Sequence, residues 1–291
     1  MLTIFSVPKP FRGHVATIQR NALQSWLRLR PACQVLMLGD EKGVAEAARR
    51  SGAQHMPTIA RNELGTPLVN SAFESAERAA TFDLLCYVNA DVILLDDLLT
   101  AVRQVARRRR FLMVGQRWDV DLTRAWEFEQ EDSAQRLRAY ARTHGSLHPP
   151  LGSDYFVFPR GFWRSLPAFA VGRPGWDNWM IYQARAGGAA VIDATRCVTV
   201  IHQTHDYSHS PAAGEDVWSG PEARRNLEIV GESERIFTLE DATHVLTPAG
   251  LRVDWGLARL RRRVHTLPVL HPFLRHVMTA VGVARPRRAR T

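Results

Sequence analysis

Over residues 1–115 the apolar pattern switches between short unbroken runs and helical spacing, which predicts alternating strands and helices. Leu2 to Val7 reads as a strand followed by the turn Pro8-Lys9-Pro10. Val15, Ile18, Ala22, Trp26 and Leu29 then share one helical face, and Pro31 stops that helix. Val35 to Leu38 predicts a second strand ending in Gly39-Asp40. Glu41 to Arg50 predicts a helix with Gly52 as its left-handed cap, and Thr58-Ile59 a short third strand. A helix over Leu68 to Ala80 leads into the most apolar stretch of the chain, Asp83 to Leu95, and Asp96 caps a further helix through Arg107. So apolar a run suits a strand buried on both faces of a parallel sheet, and the β-α-β-α-β-α-β order implies right-handed crossovers.

Asp91 breaks that apolar run. A carboxylate there is expensive unless it sits at the strand's carboxyl end, paired or bound to a metal. Ligands of open α/β sheets bind at those ends, which makes Asp91 the best single pointer to function. Its bland alternative is a turn or cap residue ahead of Asp96-Asp97.

After the strand Phe111 to Val114 the texture changes. Asp119 to His144 is charged and partly helical, with Trp126 and Tyr140 as anchors. Tyr155 to Phe158 and Ala190 to Ile201 read as strands, and Trp176 to Ala186 as a helix closed by Gly187-Gly188. From Gly220 onward the patterns weaken, and the segment from Arg285 reads as disordered. Three parts follow: an α/β half over 1–115, a second half of the same domain over 116–219, and a helical extension with a basic tail over 220–291.

Composition changes this picture little. At 291 residues, with 45% apolar and 23% charged, the chain suits a soluble globular protein of one large domain or two smaller ones. Cys33, Cys86 and Cys197 are odd in number and lack metal-type spacing, so they read as free thiols in a reducing compartment. The first residues lack the charged region of a signal peptide, and no apolar run approaches the roughly 20 residues of a membrane span. The expected location is the cytoplasm.

Charge placement says more than the net charge of +9. Arg107 to Arg110 form one cluster; Arg259, Arg261 to Arg263, Arg285, Arg287, Arg288 and Arg290 make the C-terminal part basic. Such patches favour nucleotides, nucleic acid or an acidic membrane surface, against the plainer reading of a solvated helix end and tail. Neither a Gly-x-Gly-x-x-Gly turn nor a Gly-x-x-x-x-Gly-Lys-Ser/Thr loop is present, which disfavours dinucleotide dehydrogenases and P-loop enzymes.

Three constellations remain. Asn89-Ala90-Asp91 is similar to the metal-binding Asp-x-Asp motif of GT-A-fold glycosyltransferases, with Asn in the first position. Other features follow in that family's order. They are the polar turn Ser6 to Arg12, the acid Asp40, the helix with Asn70 and Ser71 after Arg61, and Gly152 to Arg160. Gly175-Trp176-Asp177-Asn178-Trp179 and then His202 complete the set, which covers roughly Leu2 to His209. The resemblance implies a GT-A-like (Rossmann-like) three-layer α/β/α sandwich with a mostly parallel central sheet.

The same resemblance implies a transferase using a nucleoside-diphosphate sugar and Mn²⁺ or Mg²⁺. Asp91 would bind the metal, with His202 or His205 completing the site. Ser6, Pro8, Arg12, Asp40, Arg61, Asn70, Asn89 and Trp176 would contact the donor. Asp177 would take the acceptor's proton, implying inversion, and Asp154 is the other carboxylate facing the acceptor. Trp176 and Trp179 offer flat faces for a sugar, and Arg224 and Arg225 are candidates to reach a diphosphate. The plainer alternatives are Asp177 as a helix cap between core tryptophans, Asp154 as a turn residue, and Arg224 and Arg225 on a surface helix. The density of His202, His205 and His209 beside Asp206 also raises a self-contained zinc site, but no cysteine has matching spacing.

Expected partners are the donor and an acceptor that is a glycan, a lipid or a small molecule, with peripheral contact of the basic C-terminus at the inner membrane face. The alternatives are a sugar-1-phosphate nucleotidyltransferase, disfavoured by the missing Gly-rich phosphate loop, and a non-enzymatic anion- or nucleic-acid-binding protein. The latter lacks the aromatic signatures of RNA-binding modules.

Overall fold

A computed structural model describes residues 1–205 and 215–274. In chain order the first elements are β1 (Thr3–Ser6), α1 (Gly13–Leu27), β2 (Gln34–Leu38), α2 (Val44–Ser51), β3 (Gln54–Met56), α3 (Val69–Ala79), β4 (Leu84–Val88) and β5 (Val92–Leu94). There follow α4 (Asp97–Val105), β6 (Phe111–Val114), β7 (Trp118–Val120), α5 (Ser133–His144), β8 (Ser146–Leu147) and β9 (Tyr155–Pro159). The remainder is α6 (Trp176–Ala186), β10 (Ala190–Asp193), β11 (Val200–Gln203), α7 (Glu215–Ser219), α8 (Pro221–Val230), β12 (His244–Thr247), β13 (Gly250–Val253) and α9 (Leu257–Leu270).

The main sheet has the order β13-β12-β10-β6-β9-β4-β1-β2-β3. Its neighbours pair in parallel except along β9 and at β12–β13. Helices cover both faces. Ala22 and Trp26 of α1 and Leu98 and Val102 of α4 pack on one side; Phe73 of α3 and Met180 of α6 pack on the other. This is the three-layer α/β/α sandwich with a mostly parallel sheet that the resemblance implied. Among the described residues no helix is long and apolar enough to cross a membrane.

The apolar run Asp83 to Leu95 is two strands, not one. β4 ends at Val88 in the main sheet, and β5 begins after Asp91 in a second sheet of order β5-β11-β7-β8. Both halves are buried, so apolarity alone does not reveal the corner between them. The stretch Ala190 to Ile201 divides in the same way, β10 joining the main sheet and β11 the second.

Other boundaries shift for local reasons. β3 forms at Gln54–Met56, ahead of Thr58-Ile59, because Pro57 has no N–H to continue the ladder. α2 starts at Val44, after Gly43 at φ +89°, where a Cβ would meet the Phe11 side chain at 2.9 Å. Asp96 precedes α4 but makes no side-chain cap bond, and its carboxylate pairs with Arg138 instead.

In the weakly patterned C-terminal part, β12 and β13 extend the main sheet beside β10. Three arginines tie α9 down. Arg259 pairs with Asp193 at 2.7 Å, Arg262 with Asp241 at 2.8 Å, and Arg263 donates to the Thr243 carbonyl at 2.7 Å. Asp206 to His209, and Arg285 onward, lie outside the described residues.

Candidate active site

The chain leaves β1 for β2 and β3 on one side and returns to β4 on the other, so the crevice between the ends of β1 and β4 is a topological switch point. A cleft of about 1250 Å³ opens there. Its walls are the loop Val7 to Arg12, the turn Asn89-Ala90-Asp91, the segment His148 to Asp154, the start of α6 and the end of β11. The first loop is held by Gln19 of α1, whose side chain accepts from the Lys9 N–H at 2.7 Å and donates to the Lys9 carbonyl at 2.9 Å.

The corner between the two sheets sets Asp91. Gln203, fully buried at the end of β11, donates to the Asp91 carbonyl at 2.9 Å and to the Ile18 carbonyl at 2.8 Å, while accepting from Asn21 at 2.8 Å. Trp26 Nε1–H donates to the Val92 carbonyl at 2.9 Å. Backbone groups that leave one sheet for another lose their ladder partners, and these side chains replace them. The Asp91 carboxylate is thereby aimed into the cleft.

Asp91, His202 and His205 bring one ligand atom each within 4.8 Å of the others. His205 Nε2 lies 3.0 Å from Asp91 Oδ2 and His202 Nε2 3.9 Å from it, and Asp91 Oδ1 is buried without a partner among the described residues. Burial opposes charge on Asp91, but His202, His205 and Lys9 outweigh it and hold the carboxyl far below its usual range. Burial also opposes charge on His202; Asp91 and the hydrogen bond to Asp119 overcome it and raise that pKa. Two imidazoles and one carboxylate, whose second oxygen has no partner among the described residues, form a donor set that fits a divalent cation.

Behind these residues stands a polar chain that sequence reading missed. His202 Nδ1–H donates to Asp119 Oδ1 at 3.1 Å, and His148 Nδ1 meets Asp119 Oδ2 at 2.7 Å. Arg117 bridges Asp119 at 2.8 Å and Asp154 at 2.6 Å. Arg117 just precedes β7 and Asp119 lies within it, so in extended chain the two face the same way. That alternation was the one signal available, and the charged surroundings of the segment mask it.

Asp154 continues the chain. Its Oδ1 accepts from Asn89 Nδ2 at 2.8 Å, its carbonyl accepts from the Asn89 N–H at 2.9 Å, and Asn89 Oδ1 accepts from the Tyr87 hydroxyl at 2.9 Å. Burial, with the charges of Asp91, Asp154 and Asp177, drives the Tyr87 hydroxyl far above its usual pKa. Tyr87 is therefore a fixed donor.

Asp177 lies in the first turn of α6, whose preceding residue Gly175 has φ +94° and packs against Leu227 and Val230. Its Oδ2 accepts from the Ser153 N–H at 3.2 Å. Burial is the largest influence on it and Asp154 adds to it. Together they outweigh the N–H bonds from Ser153, Asn178 and its own backbone, leaving the pKa at about 6.

The structure gathers Pro8, Arg12, Asn89, Asp91, Asp154, Trp176, Asp177, His202 and His205 at this cleft. It does not bring Ser6, Asp40, Arg61 or Asn70 to the cleft lining. Ser6 is buried at the end of β1, and Arg61 is engaged by Asp40 at 2.5 Å and Glu41 at 2.8 Å. The tryptophans are core residues: Trp176 packs on Tyr87 at 5.2 Å and exposes only 5%, and Trp179 packs on Phe169. Arg225 pairs with Glu63 at 2.7 Å and Arg224 bonds the Ser219 carbonyl, so neither lines the cleft.

No protein-family model matches the chain, and no curated protein sequence does. The solved structures to which it is similar include the mannosyltransferase PcManGT from Pyrobaculum calidifontis in complex with GDP-Man and Mn²⁺. That pair shares 16% identity at a TM-score of 0.45, over 72% of this chain and 58% of the other. M. tuberculosis glucosyl-3-phosphoglycerate synthase shares 16% identity at a TM-score of 0.48, over 81% of this chain and 80% of the other. S. aureus TarS 1–349 in complex with UDP-GlcNAc shares 12% identity at a TM-score of 0.49, over 80% of this chain and 68% of the other. This chain thus spans 58% of the mannosyltransferase's length.

Proposed function

We propose that this chain is a glycosyltransferase, moving a sugar from a nucleoside-diphosphate sugar to an acceptor hydroxyl with inversion at the anomeric carbon. One observation carries the reading. A two-histidine, one-carboxylate donor set and a separate carboxylic acid with a pKa of about 6 share one cleft at the sheet's switch point.

Asp91, His202 and His205 are the residues that would hold the metal. Asp91 Oδ1, buried without a partner among the described residues, supports that role, and two imidazoles suit Mn²⁺ better than Mg²⁺, which prefers an all-oxygen shell. When bound, the ion neutralises charge on the leaving diphosphate. Lys9 and Arg12 add positive charge along the same cleft. Asp177 accepts the acceptor's proton; a pKa of about 6 leaves it ionised at neutral pH while keeping it more basic than a solvated carboxylate. Asp154, tied to Arg117 at 2.6 Å and to Asn89 at 2.8 Å, is committed to those partners and serves to orient the acceptor and Asn89. Three free cysteines support action in the reducing cytoplasm.

The test is a thermal-shift screen of nucleoside diphosphates and their sugars, with and without Mn²⁺, on the native chain and on Asp91→Ala. A Mn²⁺-dependent rise in melting temperature with one nucleotide, lost in Asp91→Ala, supports the reading. Unchanged nucleotide and Mn²⁺ binding in the variant overturns it.

A further inference from the structure

We propose that the face formed by the end of β13 and the outer side of α9 docks on an anionic lipid bilayer. The proposal concerns a surface away from the cleft and stands without the transferase reading. Leu257, Leu260 and Val264 recur at helical spacing on α9 and are 77%, 43% and 37% exposed. Val253 and Trp255, just before the helix, are 42% and 70% exposed, and Phe273 beyond it is 73% exposed. Scattered exposed apolar residues need no explanation, but a ridge along one helix marks a contact surface.

Charge complementarity names the occupant. From Trp255 to Thr291 the chain has nine arginines and no aspartate or glutamate. Arg259, Arg262 and Arg263 are spent inward, on Asp193, Asp241 and the Thr243 carbonyl. Arg261 and Arg252 stay exposed beside the apolar ridge, and Arg263 lies over the Trp255 ring at 5.1 Å. Apolar side chains flanked by arginine, with a tryptophan at the edge, suit the headgroup boundary of an anionic leaflet. A protein partner would have to supply all the opposing negative charge, whereas an anionic leaflet presents it everywhere.

The helix is also coupled to the cleft. Arg259 donates to the Leu239 carbonyl, the Leu239 N–H donates to the Pro150 carbonyl at 3.1 Å, and Asn178 joins Phe237 and Leu151 at 2.8 and 3.0 Å. The docked helix is therefore linked to the wall that carries Asp177.

The test is sedimentation of the full chain with phosphatidylcholine vesicles, with or without about a third phosphatidylglycerol. The native chain is compared with the double variant Leu257→Glu/Leu260→Glu and with Arg261→Glu. Both leucines are exposed, so the fold tolerates the change, and circular dichroism checks it. The expected result is salt-sensitive binding to the anionic vesicles only, at least tenfold weaker in the double variant and weaker in Arg261→Glu. No binding to anionic vesicles overturns the proposal. Undiminished binding by the double variant also overturns it, since the arginines beyond residue 274 then carry the contact. A dimer that the double variant dissociates, without vesicle binding, assigns the face to a second copy and overturns it as well.

Discussion

His202 donates its Nδ1–H to Asp119 Oδ1 across 3.1 Å, which fixes the ring with Nε2 turned toward Asp91. A carboxylate behind a ligating histidine sets its tautomer and orientation, and its loss lowers metal affinity by about 10–100-fold. Asp119→Ala is expected to weaken Mn²⁺ binding within that range, and Asp119→Asn less, because one acceptor oxygen remains. Calorimetric titration with Mn²⁺ alone measures both; equal affinities in all three proteins would show that Asp119 does not position His202.

On the proposed function, the raised pKa of Asp177 sets a pH limit on transfer. A base must be deprotonated, so at saturating Mn²⁺ the rate is expected to fall as pH drops through about 6. Asp177→Asn should reduce kcat by about 10²–10⁴-fold, the span typical of general-base loss, while donor binding persists. A profile flat down to pH 4.5 would remove Asp177 from that role.

The same shift predicts a stability gain on removing the charge. Asp177 binds its proton more tightly in the folded chain, at about 6, than at the ordinary carboxyl value of 3.8. The folded state therefore holds more protons between these values, and stability falls as pH rises through them. Asp177→Asn should raise stability by on the order of 1–3 kcal/mol at pH 8 and by nothing measurable near pH 3.5. Thermal melts at the two pH values check the difference.

Asn89 stands where the resembling motif has an aspartate, and Asp154 supplies a reason. Asn89 Nδ2 donates to Asp154 Oδ1 at 2.8 Å, a bond a second carboxylate cannot make. Asn89→Asp should cost on the order of 1–3 kcal/mol at neutral pH, through a lost hydrogen bond and two opposed carboxylates. Asp154→Asn added to it should recover part of the loss, since the amide donor then comes from the other side. A double-mutant cycle by chemical denaturation reads the coupling; additive effects would deny it.

The main layers were legible in the sequence because their signals are local. Helical spacing from Val15 to Leu29 and the unbroken apolar runs at Val35 to Leu38 and Phe111 to Val114 each mark an element within a few turns of chain. Asp91, His202 and His205 also stood out, an acid in an apolar run and clustered imidazoles, and their ligand atoms converge to within 4.8 Å. The Arg117–Asp119–His148 group went unread. Each of its members is an ordinary polar residue until β7, β8 and β11 lie side by side.

By itself the sequence determined which segments bury and with what period, and so the alternating α/β layers. It also determined which chemistry-bearing residues follow the strands. Only the tertiary structure decided that Asp83 to Leu95 bends from one sheet into another at Asn89-Ala90-Asp91. It likewise decided that Trp176 and Trp179 are core, that Arg61 is committed to Asp40 and Glu41, and that α9 turns three arginines inward and Leu257 and Leu260 outward. Local periodicity records whether a side chain is buried. Which neighbour it meets is settled by pairing between segments far apart in the chain, such as Asn21 with Gln203 and Asp119 with His202.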